Sequence, residues 1–348
     1  MVDARLIVAT TVAALVASTA MATDETTLLA DARQVFQLLP KQPSTAEAPV
    51  TKERVRLGRM LFFDPRLTVD GNMSCATCHL PSLYGGDGLA RSIGVKQRLH
   101  PRNSPTVLNS SANIIVQWRG DRESLEDQVI KSLGSPITNG QPDLGAVLDR
   151  LKRIAGYAPL FKAAFPEDAV PLNVGNVANA ISAYERTLVT PAPFDAYLAG
   201  DADALSPSAR RGLMTFINAG CSACHNGVGV GGGMHQKFGI VEDYWIATGS
   251  EPIDKGRADV TKDPADLYVF RVPSLRNVAM TAPYFHDGSV ARLPDAVKVM
   301  ARVQLGSKLS DLEVNDIVAF LESLTGDLPP DFATAPVLPP AAVIPAQH

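Results

Sequence analysis

The sequence predicts a mainly α-helical protein built as two tandem units, with long loops and little sheet. Three observations predict it. A CxxCH pentapeptide occurs twice, as Cys75-Ala-Thr-Cys78-His79 and as Cys221-Ser-Ala-Cys224-His225. The stretch before each pentapeptide repeats as well: Leu57-Gly-Arg-Met-Leu-Phe-Phe63 precedes the first and Arg211-Gly-Leu-Met-Thr-Phe216 the second, each reading as a short amphipathic helix. Helical apolar spacing recurs over 146–165, 173–188, 295–303 and 310–324, whereas only Leu267-Tyr-Val-Phe270 alternates as a strand would.

Residues 6–22 are uncharged and mostly apolar, follow Arg5, and end in the small-residue triplet Ala20-Met21-Ala22. That is the layout of a secretory signal peptide, with cleavage expected before Thr23. A retained anchor would need about 20 apolar residues, and this run is shorter and diluted by Thr and Ser. The expectation is export to the periplasm. Residues 23–50 form an N-terminal extension, 51–197 the first unit and 198–326 the second, with packing of its last helix on the first unit left open. Ser310 ahead of Asp-Leu-Glu reads as the cap of that helix. Residues 327–348 form a Pro-rich tail, with six prolines from Pro329 onward, and read as extended or disordered.

Of the 348 residues 46% are hydrophobic and 20% charged, which is ordinary globular material; 26 Gly and 26 Pro point to abundant loops. A net charge of −4 gives no basic footprint for nucleic acid. All four cysteines fall in the two pentapeptides, which excludes a disulfide scaffold and leaves no spare thiol. The CxxCH spacing lets two thiols add to the two vinyl groups of one porphyrin, with the adjacent His beneath the iron. A structural zinc ion would want four converging ligands, and these pairs are far apart in sequence. A redox dithiol would not recur with His. The reading is two covalently bound haem c groups on Cys75, Cys78, Cys221 and Cys224, with His79 and His225 as proximal ligands. Each unit is then cytochrome c-like, and Gly-Gly follows each His, at 85–86 and 231–232.

The sixth ligands decide the function, because an iron closed on both faces transfers electrons and one with an open face binds peroxide or oxygen. For the second haem Met300 lies where a small cytochrome c supplies its Met, although Met234 and Met280 are rivals and a core role for Met300 is the alternative. For the first, no Met occurs between 73 and 214, and His100 is the only further His in that span. That haem is either closed by His100 or open.

The segments LGRMLFFDPRLTVDGNMSCATCH, PRNSPTVLNSS, CSACHNGVGVGG, VPSLRNVAMTAPYFHDGS and QLGSKLSDLEVNDIVAFLESLTG resemble the bacterial di-haem cytochrome c peroxidases and their MauG-like relatives, from about Leu57 to Gly326. The resemblance implies an N-terminal peroxidatic haem and a C-terminal high-potential haem. It implies Met300 as the C-terminal sixth ligand, Trp118 between the haems, and Ca2+ held by Asn103 and the carbonyls of Thr281 and Pro283. Two positions depart from the family pattern. Where bis-His members carry a removable ligand three residues after the Ser of Ser-Ile-Gly, Ser92-Ile93-Gly94 is followed by Val95, which cannot ligate iron. The family's distal Glu is missing from Gly134-Ser-Pro-Ile-Thr-Asn-Gly-Gln-Pro-Asp143. Asp143 is the nearest carboxylate, with a helix N-cap as its competing role.

The function so implied is a periplasmic peroxidase that reduces hydrogen peroxide with electrons from a small donor, a cytochrome c or a cupredoxin. A MauG-like enzyme that uses peroxide to oxidise a partner protein is the alternative, favoured by the missing Glu and opposed by Met300, since MauG uses Tyr there. A di-haem electron carrier with His100 as ligand is the third reading. Family members are often homodimers.

Overall fold

A computed structural model describes residues 27–40, 48–140 and 143–340; the leader at 6–22 lies outside them. Among the described residues the fold is carried chiefly by α1 Lys52–Phe63, α2 Leu125–Leu133, α3 Leu144–Lys152, α4 Tyr157–Ala164, α5 Val174–Glu185, α6 Pro193–Ala199, α7 Pro207–Asn218, α8 Leu293–Leu305 and α9 Asp311–Glu322. The sheet is one antiparallel pair, β1 His235–Lys237 with β2 Val269–Arg271, registered His235 to Arg271. The mainly helical expectation with little sheet therefore holds.

Side-chain caps set most helix starts. Thr51, Ser124, Asn173, Ser206 and Ser310 each accept a backbone N–H from the first turn, and Ser310 with Glu313 closes a capping box. The periodic stretch 146–165 is two helices, not one. It breaks between Lys152 and Tyr157, and Pro159 falls in the first turn of α4, where a missing N–H costs nothing.

Among the described residues two large buried cores result, with two smaller clusters around Tyr244 and Tyr284. The first gathers Leu57, Leu61 and Phe62 of α1 with Val177, Ile181 and Tyr184 of α5 and with Val129, Val147 and Phe161. The second gathers Leu213 and Phe216 of α7 with Ile317, Phe320 and Leu321 of α9, and with Phe36, Phe194 and Tyr197. In each, the helix leading to a CxxCH loop crosses a later helix of the same core, α1 on α5 and α7 on α9. The last helix thus packs in the second core. The tail reaches the first instead: Phe332 is fully buried there, Arg59 Nε donates to Asp331 O at 2.7 Å, and Tyr184 Oη donates to the same carbonyl at 3.1 Å. Through residue 340 the tail is a strap on the first unit, not a loose extension.

Candidate haem centres

Each pentapeptide folds as one tight turn, Cys75–Cys78 in the first unit and Cys221–Ala223 in the second. The His N–H closes each turn on the first Cys carbonyl, at 3.0 Å for both His79 and His225. Two thiols and one imidazole are thereby delivered to one cavity, and this happens twice. No disulfide joins the four thiols. Burial pushes Cys75 up to about 12 and Cys78 and Cys221 to about 11, so they stay protonated at neutral pH. Burial also depresses both imidazoles, His225 to about 4, leaving them neutral as iron ligands must be.

The glycine pairs serve these imidazoles. His79 Nδ1 bonds Gly85 O at 2.9 Å, which fixes the ring and leaves Nε2 as the ligating atom. Gly85 has φ +76°, and a Cβ there would meet Thr106 Oγ1 at 2.8 Å. Gly231, with φ +124°, passes so close to the Pro273 carbonyl that any side chain would overlap it.

The C-terminal cavity is lined by Cys221, Cys224, His225 and Met300, the last carried by α8. Neither Met234 nor Met280 lines it. The N-terminal cavity is lined by Cys75, Cys78, His79 and Met73, with Gln128 and Ser132 of α2, Thr138, Asn139 and Glu185. Met73 stands two residues before Cys75, with both its N–H and its carbonyl tied to Thr68 Oγ1. His100 and Val95 are not on the lining. Val95 is fully buried with its N–H on Ile137 O at 2.9 Å, and the His100 N–H bonds Ser92 O at 2.8 Å. Asp143 is exposed and off the lining; its carboxylate accepts from Gly145 N at 2.8 Å and caps α3. The cap role is thus the one its geometry serves.

One wall is common to both cavities and carries Pro105, Thr106, Asn113 and Arg271. Trp118 faces the C-terminal cavity and its neighbour Gln117 the other. The Trp118 indole N–H donates to Asn103 O at 2.9 Å, and its carbonyl accepts from Arg271 N at 2.8 Å. Arg271 is 4% exposed, donates to Gln117 O at 3.0 Å and Asn113 Oδ1 at 3.2 Å, and has no carboxylate partner among the described residues. Burial lowers it only to about 10, so it is a buried cation. A guanidinium without an anion, at the boundary of both cavities, fits the propionate carboxylates of haem. Asn103, Thr281 and Pro283 all line the C-terminal cavity, and the Asn103 N–H bonds His286 O at 2.7 Å. Their amide and carbonyl oxygens suit a hard cation.

Sequence reasoning did not single out Gln128, Asn139, Glu185 or Arg271. One signal was available: Glu185 is the only charged residue of α5, VGNVANAISAYE.

The family model for di-haem cytochrome c peroxidase matches residues 52–203. The cytochrome c551 peroxidase of Pseudomonas aeruginosa is 43% identical over 303 residues, 86% of this chain and 86% of that protein. The methylamine utilization protein MauG of Methylorubrum extorquens is 36% identical over 340 residues, 93% of this chain and 92% of its own. A crystal structure of a MauG-like protein associated with microbial copper homeostasis superposes with a TM-score of 0.74 at 30% identity, covering 85% of this chain and 97% of that one. Together with two cavities that each gather two thiols and an imidazole, these likenesses place the chain in the di-haem cytochrome c peroxidase family, as an oxidoreductase of the peroxidase type.

Proposed function

We propose that the chain reduces hydrogen peroxide in the periplasm at the N-terminal haem, with electrons that enter through the C-terminal haem from a small cytochrome c or cupredoxin. The units 51–197 and 198–326 divide the work, each holding one haem. The carrying observation is the contrast between two cavities that each gather two thiols and one imidazole. One is lined by Met300 of α8, whose soft thioether would suit the sixth position of an electron-storing haem. The other is lined by the amides of Gln128 and Asn139; its one His is His79, and its one Met, Met73, stands two residues before Cys75 on the haem-attachment loop rather than on a separate helix.

Haem bound on Cys75 and Cys78 supplies the iron at which peroxide is reduced. The protein's part is to hold the ligand and its protons. Gln128 Oε1 and Asn139 Oδ1 are buried and make no hydrogen bond among the described residues, although each amide nitrogen is anchored, to Ser132 Oγ at 2.9 Å and Leu133 O at 2.7 Å. Both are free acceptors on residues that line the cavity a peroxide would enter. Trp118 and Arg271 bridge the wall between the cavities and give electrons the short route. A calcium ion on Asn103, Thr281 and Pro283 would stiffen the loop that receives the Trp118 indole.

The test is stopped-flow mixing of the haem-loaded protein with peroxide and a reduced donor. Donor oxidation well above a haem-free control is expected, and its absence overturns the reading. EPR of the oxidised protein should show one high-spin and one low-spin ferric signal, and His100→Ala and Met73→Leu should leave both unchanged. If peroxide instead raises the mass of a co-purified partner protein without oxidising the donor, the MauG-like use of the same site replaces this one.

A further inference from the structure

Glu185 ends α5 on the lining of the N-terminal cavity, 7% exposed, and its carboxyl makes no hydrogen bond or ion pair among the described residues. Nothing in the peroxide-holding scheme uses it. Buried carboxyls without partners are costly, and they persist where a proton must be held. We propose that Glu185 is the proton-holding group of the N-terminal haem cavity, taking up one proton as one electron reaches that haem and releasing it as the electron leaves. The proposal rests on the reading of that cavity as a haem site and names what couples its charge to solvent.

The surroundings leave the carboxyl sensitive to the iron's charge. Glu126 of α2 and Arg186, the C-cap of α5, both act on Glu185 at a distance with opposite sign, and they are paired with each other at 2.6 Å, so their effects on it partly cancel. The haem loop contributes Cys75, which is consumed as a thioether, and neutral His79. Arg271 of β2 faces the same cavity, with its Nε and Nη1 already donating to Gln117 O and Asn113 Oδ1. Burial, opposed by Arg186 and aided by Glu126, holds the Glu185 carboxyl up to about 8, where it exchanges its proton near physiological pH. A ferric iron favours the carboxylate and a ferrous iron the acid, by ordinary Coulomb attraction across a low-dielectric cavity. The step balances. One electron from the reduced donor lowers the iron by one oxidation state, one proton from water bonds to a carboxylate oxygen of Glu185, and no other bond changes.

Spectroelectrochemical titration of the haem-loaded full chain from about pH 6 to about pH 9, the range around the shifted carboxyl, tests this. The N-terminal potential should fall by about 59 mV for each tenfold drop in proton activity within that window. In Glu185→Gln the slope should vanish. A flat potential in the native protein overturns the proposal, and so does an unchanged slope in Glu185→Gln, which would give the proton to a propionate. Reduced-minus-oxidised infrared spectra of the native protein provide a second reading that does not depend on the folding of the variant: a protonated-carboxyl C=O band should grow on reduction, and its absence overturns the assignment. A chain that carries no haem at Cys75 and Cys78 overturns both this proposal and the site it rests on; a loaded haem with a pH-independent potential overturns this one alone.

Discussion

Asp64 is fully buried at the end of α1 and still keeps its charge. Burial alone would raise its affinity for a proton. Hydrogen bonds from Arg66, at 2.8 and 2.6 Å, and from the Tyr157 hydroxyl at 2.6 Å outweigh that and hold it below the usual carboxylate range. Glu185, also buried but without donors, goes the other way, so partners decide the sign. For Asp64 the folded value lies below the unfolded one. Its contribution to stability is therefore complete above the unfolded value, near pH 3.9, and is lost as pH falls through the folded value. Asp64→Asn should erase that part of the acid limb in thermal melts across pH. It should also cost about 3 kcal/mol at neutral pH, the low end for breaking a buried pair because Arg66 is 30% exposed and keeps some water. Tyr157→Phe leaves the pair intact and should cost about 1–2 kcal/mol. Equal losses in the two variants would show that the hydroxyl, not the ion pair, holds the charge.

At the scale of elements, the two helix crossings depend on one glycine each. A Cβ on Gly58 would overlap the Ala180 carbonyl of α5, and a Cβ on Gly212 the Asp316 carbonyl of α9. Backbone cannot yield as a flexible side chain can, so Gly58→Ala and Gly212→Ala should each destabilise by about 3 kcal/mol or more. Each should loosen its own haem, read as a lowered midpoint in melts followed at the corresponding haem band. If either is as stable as the native protein, the crossing is not a contact that needs glycine. These glycines also show what the sequence could tell. The repeat Leu57-Gly58 and Arg211-Gly212 was readable, as were the pentapeptides, because covalent haem attachment imposes local spacing. The carbonyls that make the glycines necessary were not, since Ala180 and Asp316 lie far along the chain and periodicity records a face without its partner. The break at 153–156 is hard to read for a related reason: apolar spacing continues across it, and only Gly156 and Pro159 mark the restart. Arg271 and the peroxide-side amides of Gln128 and Asn139 were illegible because their meaning lies in convergence on a wall shared by both units.

For the molecule as a whole, a buried polar knot joins the units. Asn109 follows the first haem loop and Asn277 the second; both are buried, with left-handed backbone at φ +55° and +60°, and each opens a single 3-10 turn. Both donate their side-chain N–H to one atom, Thr190 Oγ1, at 2.7 and 2.9 Å. Asn109 Oδ1 accepts the Thr190 N–H at 2.9 Å, and Asn277 Oδ1 accepts that of Gly326 at 3.1 Å. Thr190 lies between α5 and α6, where the chain passes from the first core to the second. One hydroxyl thus registers equivalent loops of the two units, and with them the wall between the haem cavities. Thr190→Val keeps the shape and removes the shared acceptor, leaving two buried amides short of a partner at about 1–3 kcal/mol each. The variant should lose about 2–4 kcal/mol. It should also slow electron transfer between the haems by tenfold or more, because a small shift of one unit against the other disturbs the Trp118 route. Thr190→Ser, which keeps the oxygen, should be close to native in both. Flash-photolysis rates of inter-haem transfer beside denaturation midpoints decide it: a Thr190→Val protein that melts early yet transfers electrons at the native rate would reduce the knot to a stabilising contact, and one indistinguishable from Thr190→Ser would remove it from the interface altogether.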